Sequence, residues 1–463
     1  MGTRGSAARP SVLPIGFVCQ VLALVIGFVL VTAPFGPTRA EAAQPQATCF
    51  WIGPFDRAAL KNPSLNFAYP DTAVGYWAAR FRLPDGARLL LDGKFPRSRY
   101  MSLNAYRSGA PIDALTDVEF RPERGSVNPF RTGKRRNLKN SRRDWQARVV
   151  NEEAPATGAG RVTNTLYAPP EDGVQELIYR VYLPDRGRDS RGGVRLPKPV
   201  VELADGSRLT GSAACAAINH PVREITPQTV PAPYYSLLVN TPGADKETVP
   251  AFSPVHWENF FNTQLSLSIY KRGTPSEGDR ARLPQAQEGG QYSNEDARYI
   301  TTSINREFGE ILVLGGKMPT FPATEGKRRT RMKKGQVRYW SLCQNETPTT
   351  TSVVSCLRDS QVPLTRKRMY TIVVSTKADR PKNARTACGV AWLNWGEFVD
   401  TLGREGTGFL IMRNLLAAPG FKHGIRNITK LGTEQAVMGN YFPKSTYMSS
   451  AAFKAPRCTG KKS

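Results

Sequence analysis

Hydrophobic and polar residues follow one another in short segments that favour strands over long helices. Residues 89–91 and 312–314 are apolar runs bounded by glycine and proline, a pattern typical of strands buried on both faces. Residues 174–183 (VQELIYRVYL) are rich in residue types that favour strands. Turn sequences such as residues 84–86 (PDG) separate these segments. Because no regular alternation of strands and helices is visible, the pattern predicts a mainly β protein of antiparallel sandwiches with few short helices.

The second part of the chain repeats the segment order of the first part. Residues 86–96 (GARLLLDGKFP) match residues 309–319 (GEILVLGGKMP) without a gap. The remaining matches, in chain order, are Tyr69 and Tyr76 with Tyr292 and Tyr299, 99–103 with 338–342, 127–130 with 362–364, 146–151 with 370–375, and 177–180 with 410–413. Several matches in one order predict an internal duplication, with two tandem jelly-roll-like β-sandwich units.

The chain of 463 residues is too long for one ordinary core, so two or three domains are expected. Residues 1–42 combine a basic start, an apolar run and small residues at Ala40 and Ala42, which predicts a signal peptide cleaved after Ala42. The alternative is an uncleaved membrane anchor, because the apolar run is close to the length of a spanning helix. A proline-rich boundary then separates a first unit, residues 43–230, from a second unit, residues 231–463.

The cysteine content fits an exported protein. Without Cys19 in the predicted signal peptide, six cysteines remain, and an even number in an exported chain indicates disulfides. Six cysteines allow 15 connectivities. The placement along the two units favours the pairs Cys49–Cys215, Cys343–Cys356 and Cys388–Cys458. No C-x-x-C pair occurs, so neither a zinc site nor a thiol redox centre is expected, and no metal or other cofactor is predicted.

Several segments resemble an uncharacterised family of secreted bacterial proteins. They are residues 316–322 (GKMPTFP), 338–343 (RYWSLC), 388–393 (CGVAWL), 179–185 (YRVYLPD) and 192–194 (GGV). The RYWS element is also similar to bacterial domains of unknown function that fold as jelly-roll sandwiches. The resemblance implies a β-sandwich fold and a location outside the cell or in its envelope. It implies no activity.

No catalytic motif is visible, so the catalytic residues, if any, are unknown. His220, His256 and His423 stand alone in the sequence, without metal-ligand spacing or a G-x-S-x-G element, and a packing role is expected for each. Glycoside hydrolysis requires a pair of carboxylates facing one cleft. The candidates are Asp113, Asp117, Glu119, Asp296 and Glu310, but no spacing selects a pair among them. An extracellular carbohydrate-active or other hydrolase, with a carboxylate pair between the two units, is therefore the alternative hypothesis.

The net charge of +26 results from 64 basic and 38 acidic residues. Such an excess attracts polyanions. Two segments free of acidic residues concentrate it. They contain Arg131, Lys134, Arg135, Arg136, Lys139, Arg142 and Arg143 in the first unit, and Lys327, Arg328, Arg329, Arg331, Lys333, Lys334 and Arg338 in the second. One interpretation is solvated loops in which like charges repel. The functional interpretation is contact with a polyanion, because guanidinium groups bind phosphate or carboxylate with two hydrogen bonds.

The leading hypothesis is a secreted, non-catalytic cell-envelope protein that binds an anionic polymer or glycan through these basic segments. The residues assigned to this contact are Lys134, Arg135, Arg136, Arg142, Arg143, Lys327, Arg328, Arg329 and Arg331. The segments contain few aromatic residues, so no specific nucleic acid is expected as a partner. Contact with a membrane is expected only through an uncleaved signal peptide. Separately, Arg180 and Arg413 lie at matching points in apolar strands, and each is expected to pair with an acidic residue of its own unit.

Overall fold

The computed structural model describes residues 49–107, 109–156, 159–218, 251, 253–259, 292–325, 331–347, 350–397, 405–430 and 432–458. We call residues 49–218 the first half and residues 251–458 the second half. The strands of the first half are β1 Ile52–Phe55, β2 Val74–Phe81, β3 Arg88–Lys94, β4 Ser98–Arg107, β5 Ala110–Thr116, β6 Asp144–Val150, β7 Thr165–Tyr167, β8 Gln175–Pro184, β9 Lys198–Glu202 and β10 Arg208–Leu209. Those of the second half are β11 Glu258–Asn259, β12 Ala297–Asn305, β13 Ile311–Lys317, β14 Tyr339–Asn345, β15 Val353–Arg358, β16 Met369–Ser375, β17 Ala391–Asn394, β18 Thr407–Leu415 and β19 Lys444–Met448.

Among the described residues, two short α-helices accompany these strands, α1 Gly211–Ala217 and α2 Glu434–Met438. The prediction of a mainly β protein with few short helices is confirmed for the described residues. Residues 42–463 form one compact unit. The predicted boundary at residue 230 lies outside the described residues, as does the predicted signal peptide. No helix within the described ranges combines the length and apolar character needed to cross a bilayer.

Each half contains two sheets, and the strand orders of the two halves correspond. The first sheet has the order β1-β2-β8-β4-β5 in the first half and β11-β12-β18-β14-β15 in the second. All neighbours in these two sheets are antiparallel. The second sheet has the order β10-β9-β3-β6-β7 in the first half. In the second half β19-β13-β16-β17 corresponds to it, and the described residues contain no counterpart of β10. In both halves the last pair, β6 with β7 and β16 with β17, is parallel.

The strands matched by sequence occupy equivalent positions in the two halves. Residues 89–91 lie in β3 and residues 312–314 in β13, the same place in the second sheet. Arg180 faces Tyr76 across β8 and β2, and Arg413 faces Tyr299 across β18 and β12. One sequence match is shifted by a residue. Gly93 faces Trp145, and the matched Gly316 faces Tyr370. Tyr370 therefore corresponds to Trp145 in the structure, whereas the sequence match pairs it with Gln146. The common strand order is an observation, and duplication as its origin stays a prediction.

The central strands of the first sheets are buried on both faces because two apolar layers cover them. In β8, Leu177 and Tyr179 belong to the core between the two sheets of the first half. Residues of alternate positions in a strand point to opposite faces. Tyr182 accordingly belongs to a separate cluster that also contains Tyr339 and Ile411 of the second half. The first sheets of the two halves therefore pack face to face. We call the layer between them the boundary between the halves, and the buried ion pairs described below lie there.

Candidate functional site

The two basic segments predicted to bind a polyanion meet in the structure. Arg135 and Arg331 form an isolated antiparallel bridge. The amide of Gly133 donates to the carbonyl of Met332 at 2.8 Å, and the amide of Met332 donates to the carbonyl of Lys134 at 3.1 Å. The guanidinium of Arg331 donates to the carbonyl of Gly133 at 2.7 Å. One segment comes from each half, so the contact joins two charged loops into a single surface.

Met332 explains why two segments of like charge stay together. Its side chain is 1% exposed and belongs to the core cluster of the first half, although the residue lies in the second half. Burying an apolar side chain of this size contributes about 1.5–3 kcal/mol. The neighbouring basic side chains repel one another through solvent, where each pair interaction is only about 1 kcal/mol. Apolar burial and the backbone hydrogen bonds therefore outweigh the repulsion.

The side chains around this contact are exposed and basic. We use the name basic surface for the exposed residues Arg131, Lys134, Arg135, Lys139, Arg142, Arg331, Lys333 and Lys334. Within the described ranges, none of these eight side chains forms an ion pair with a carboxylate. Lys327, Arg328 and Arg329, which were assigned to the same contact, lie outside the described residues.

Arg136 and Arg143 have a different role from the predicted one. Arg136 is 4% exposed and donates to the carbonyl of Ser98 at 2.9 Å and to the carboxylate of Asp185 at 2.6 Å. Arg143 is 1% exposed and donates to the carbonyls of Phe95, at 2.7 Å, and of Arg136. Burial and the nearby Arg97 lower the pKa of Arg143 to about 9. Because both guanidinium groups hold buried backbone, their assignment to polyanion contact was wrong.

A second polar region lies at the boundary between the halves, where buried ion pairs occur in reciprocal form. Arg99 of the first half donates to both carboxylate oxygens of Asp359 of the second half, at 2.7 and 2.6 Å. Arg338 of the second half donates to Asp117 of the first half at 2.6 Å. Arg99 and Arg338 are matched positions, with Arg99 in β4 and Arg338 directly before β14, and Asp117 and Asp359 each directly follow the equivalent strands β5 and β15. In each ion pair the arginine of one half therefore binds the aspartate of the other half, and the two pairs use equivalent positions.

Arg180 and Arg413 also bind across the boundary, but each binds a backbone carbonyl of the other half. Arg180 donates to the carbonyl of Tyr292 at 2.5 Å, and Arg413 donates to the carbonyl of Tyr69 at 2.6 Å. Each carbonyl belongs to the other half. Neither arginine forms an ion pair with a carboxylate of the described residues, so the prediction of an acidic partner in the same unit was wrong. Arg180 also donates to the side-chain oxygen of Asn104 at 2.7 Å. These neutral acceptors satisfy part of the hydrogen-bonding capacity of the Arg180 guanidinium without neutralising its charge.

Tyrosine hydroxyls form a third reciprocal set across the boundary. Tyr339 of the second half donates to the carboxylate of Asp71 of the first half at 3.0 Å. Tyr100 of the first half donates to the carboxylate of Asp296 of the second half. Burial raises the pKa of both tyrosines. The hydroxyl groups therefore stay protonated at neutral pH and act as hydrogen-bond donors.

The carboxylates named for a hydrolase are engaged in structural contacts. Asp113 binds Arg161 at 2.9 Å, Glu119 accepts the amide of Thr116 at 2.8 Å, and Glu310 accepts the amide of Ser450 at 2.8 Å. Burial and, to a smaller extent, the nearby carboxylate of Asp296 raise the pKa of Asp117 to about 7. Asp117 nevertheless pairs with Arg338, and neither of the two cavities described below is lined by these carboxylates. The geometry does not favour the hydrolase alternative.

The histidines and the cysteines add no further reactive group among the described residues. The imidazole of His256 lies 2.8 Å from Glu258, that of His423 lies 2.8 Å from the carbonyl of Val437, and His220 is outside the described residues. Asp71 is close to the sulfur atoms of Cys343 and Cys356, a group of metal-ligand type. These cysteines are joined in a disulfide, so their sulfur atoms are not available as thiolate ligands.

The three disulfides in the structure are Cys49–Cys215, Cys343–Cys356 and Cys388–Cys458. They are the pairs that the placement of cysteines along the two units favoured. Cys343 and Cys356 face each other in β14 and β15, whereas the other two disulfides join segments far apart in the sequence. Cys49–Cys215 ties the start of the first half to helix α1, and Cys388–Cys458 ties down the end of the second half.

Comparison with known proteins assigns the chain to no family. No family model and no curated protein sequence matches it. Over 85% of this chain and 81% of the other, the structure is similar to that of an uncharacterized protein from Burkholderia cenocepacia, at 12% identity and a TM-score of 0.44. Over 86% of this chain and 91% of the other, it is similar to a structural-genomics target from Vibrio parahaemolyticus, at 10% identity and a TM-score of 0.37. Neither similarity carries an activity, and membership of a secreted family stays a prediction.

Proposed function

We propose that this protein is an exported, non-catalytic binder of an anionic cell-envelope polymer or glycan, and that it binds through the basic surface. The observation that carries the proposal is the bridge between Arg135 and Arg331, which brings a basic segment of each half together. Two loops that are separate in the sequence thus present one field of positive charge. An extended polyanion makes many simultaneous contacts with such a field.

The chemistry of the basic surface fits carboxylate, phosphate or sulfate groups on a flexible polymer. Arginine side chains bind such groups with two parallel hydrogen bonds, and lysine side chains act as mobile point charges. The eight basic side chains are all exposed, and an open surface suits a repeating ligand better than a small molecule. Export is supported by the three disulfides, which form and persist in oxidising compartments.

Binding to polygalacturonate, a carboxylated glycan, tests the proposal. We expect binding at roughly 50 mM salt that weakens steeply towards roughly 500 mM, because solution ions screen exposed charges. The neutral glycan dextran should not bind. Replacing Lys134, Lys139 and Lys333 together by glutamate should weaken binding on the order of tenfold or more, since it reverses charge within the basic surface.

A matched variant separates local from overall charge. Lys61→Glu/Lys377→Glu/Lys454→Glu makes the same change in net charge at exposed lysines outside the basic surface. We expect this variant to bind polygalacturonate nearly as well as the unchanged protein. Equal losses in the two triple variants, or binding that does not respond to salt, would contradict the basic surface as the binding site.

A further inference from the structure

A cavity lies at the boundary between the halves, away from the basic surface. Its volume is about 40 Å³, and Arg180 and Arg413 both line it, together with Tyr76, Tyr182 and Tyr299. The two arginines are 2% and 5% exposed. A buried cationic group without an ionic partner destabilises the folded state unless other groups compensate for the lost solvation. Two such groups beside one cavity therefore call for a functional explanation.

The hydrogen bonds of the arginines leave positive charge in excess. Arg180 is bound by Asn104 and the carbonyl of Tyr292, and Arg413 by the carbonyl of Tyr69, all of which are neutral. The Nη1 group of Arg413 is buried and has no hydrogen-bond partner in the part of the chain that the structure describes. Asp71 acts on Arg413 electrostatically, but it is a single carboxylate beside two guanidinium groups. Among the described residues, one of these two positive charges therefore has no carboxylate to compensate it.

The tyrosines supply hydroxyl protons for an acceptor. The hydroxyl of Tyr76 accepts the amide of Asp71 at 2.8 Å, and that of Tyr299 accepts the amide of Asn294 at 3.0 Å. Burial raises the pKa of both hydroxyl groups, so each keeps its proton. Within the described part of the chain neither hydroxyl donates to an acceptor. Donors and positive charge thus surround the cavity, while acceptors for them are in short supply.

A second cavity adjoins the first and differs in character. Its volume is about 70 Å³, and it shares Ala68, Tyr76, Arg180 and Tyr292 with the first cavity. The rest of its lining is apolar and consists of Phe55, Leu60, Leu65, Phe67, Pro70, Ala78 and Ile178. A space of this size holds on the order of six carbon atoms, since one water-sized position takes about 10–15 Å³ on the same measure. The first cavity holds about three heavy atoms on that scale.

We propose that the two cavities together bind a small organic acid, with its carboxylate between Arg180 and Arg413 and its apolar body against Ala78 and Phe55. Three heavy atoms match a carboxylate group, which accepts hydrogen bonds at both oxygens. Guanidinium groups bind carboxylates through paired N–H donors. The apolar cavity selects a body of about six carbons, and contacts with it add affinity that an anion without a tail lacks. This site is independent of the basic surface and of the polymer that we propose for it.

Titration of the full chain with hexanoate, followed by calorimetry, tests the site, with acetate and 1-hexanol as comparison compounds. Hexanoate should bind at one site per chain. Acetate should bind at least tenfold more weakly because it lacks the apolar body, and hexanol at least tenfold more weakly because it lacks the charge. Equal binding of hexanol and hexanoate, or no binding of hexanoate, would overturn the proposal.

Variants locate the two ends of the ligand. Arg413→Met should weaken hexanoate binding at least tenfold, whereas Arg366→Met, which removes an exposed arginine elsewhere, should leave it unchanged. Ala78→Val places two methyl groups in the apolar cavity and should weaken hexanoate binding while leaving acetate binding unchanged. Because Ala78→Val keeps both arginines, it tests whether the apolar cavity holds the body of hexanoate even if Arg413→Met does not fold. Full hexanoate affinity in folded Arg413→Met, or in Ala78→Val, would refute the assigned position.

Discussion

Arg99 and Asp359 form an ion pair in which both side chains are completely buried, and the two residues come from different halves of the protein. Asp359 also accepts the backbone amide of Trp340 at 3.1 Å, and Arg99 donates to the hydroxyl of Thr324 at 3.2 Å. The pair is thus fixed by neighbouring groups in the second half. The cation comes from the first half and the anion from the second, so the ion pair joins the two halves.

Removing either partner of this pair should destabilise the protein strongly. Arg99→Met leaves the Asp359 carboxylate buried without its cation, and Asp359→Leu leaves Arg99 with only the longer contact to the carboxylate of Glu325, 3.8 Å away. We expect each to lower the free energy of unfolding by about 3–5 kcal/mol. The double variant should lose much less than the sum, because no buried charge is then left unpaired. Urea unfolding of the four proteins measures this coupling, and additive losses would show that the pair does not act as a unit.

Asp117 should make stability depend on pH. Burial raises its pKa to about 7 in the folded protein, against an ordinary value of 3.8, despite the opposing effect of Arg338. The folded state therefore holds this proton more tightly than the unfolded state between these values. Stability from this group is present below about pH 4 and is lost as the pH rises towards 7.

Asp117→Asn should remove that contribution. The free energy of unfolding, measured with urea between roughly pH 4 and pH 8, should fall less with rising pH in the variant than in the unchanged protein. Asp85→Asn, which removes an exposed carboxylate, is the control and should keep the original slope. A slope that is the same in all three proteins would show that Asp117 does not titrate in this range.

Two neighbouring glycines in β13 should respond differently to alanine. A Cβ atom at Gly316 would lie 2.7 Å from the hydroxyl of Tyr370 and 3.1 Å from the carbonyl of Phe442. A Cβ atom at Gly315 would meet only the carbonyl of Tyr370, at 3.8 Å. Overpacking of a buried site lowers stability by about 1–3 kcal/mol. We therefore expect this loss in Gly316→Ala and little or no loss in Gly315→Ala, as measured by thermal unfolding; equal effects would contradict the geometry.

The disulfides should contribute unequally to stability. Cys49–Cys215 closes a loop with a sequence separation of 166, and Cys343–Cys356 one with a separation of 13. A longer loop removes more conformational entropy from the unfolded chain, which favours the first disulfide by about 2 kcal/mol. Replacing Cys49 and Cys215 by alanine should lower the melting temperature more than replacing Cys343 and Cys356. The reverse order would mean that packing of β14 against β15 outweighs chain entropy.

The sequence predicts the mainly β class and the disulfide pairs because both leave local traces. Short apolar runs bounded by turn residues mark buried strands such as residues 312–314, and the placement of cysteines along two units limits the pairing. The register of β16 was harder to predict. A shift by one residue exchanges the two faces of a strand, and the segment around Tyr370 has apolar residues on both faces, so its pattern does not reveal the shift.

The polar contacts at the boundary could not be predicted because the sequence does not say which residues of different halves meet. Arg180 stands out as a charged residue in an apolar strand, which indicates burial correctly. Its partner is a backbone carbonyl of Tyr292, and a carbonyl leaves no signal in the sequence. Likewise Arg136 and Arg143 look like other members of a basic segment. Only the position of Asp185 and of several carbonyls distinguishes them from their exposed neighbours.

The exchange of equivalent contacts across the boundary has the form found in two-fold symmetric dimers, where residue i of one subunit meets residue j of the other and j meets i. Arg99 with Asp359 and Arg338 with Asp117 follow this rule within one chain. If the halves descend from a common parent, that shorter ancestor already carried an arginine and an aspartate placed to recognise a second copy of itself. Fusion of two genes would then have turned a concentration-dependent homodimer into a permanent one and left each half free to diverge.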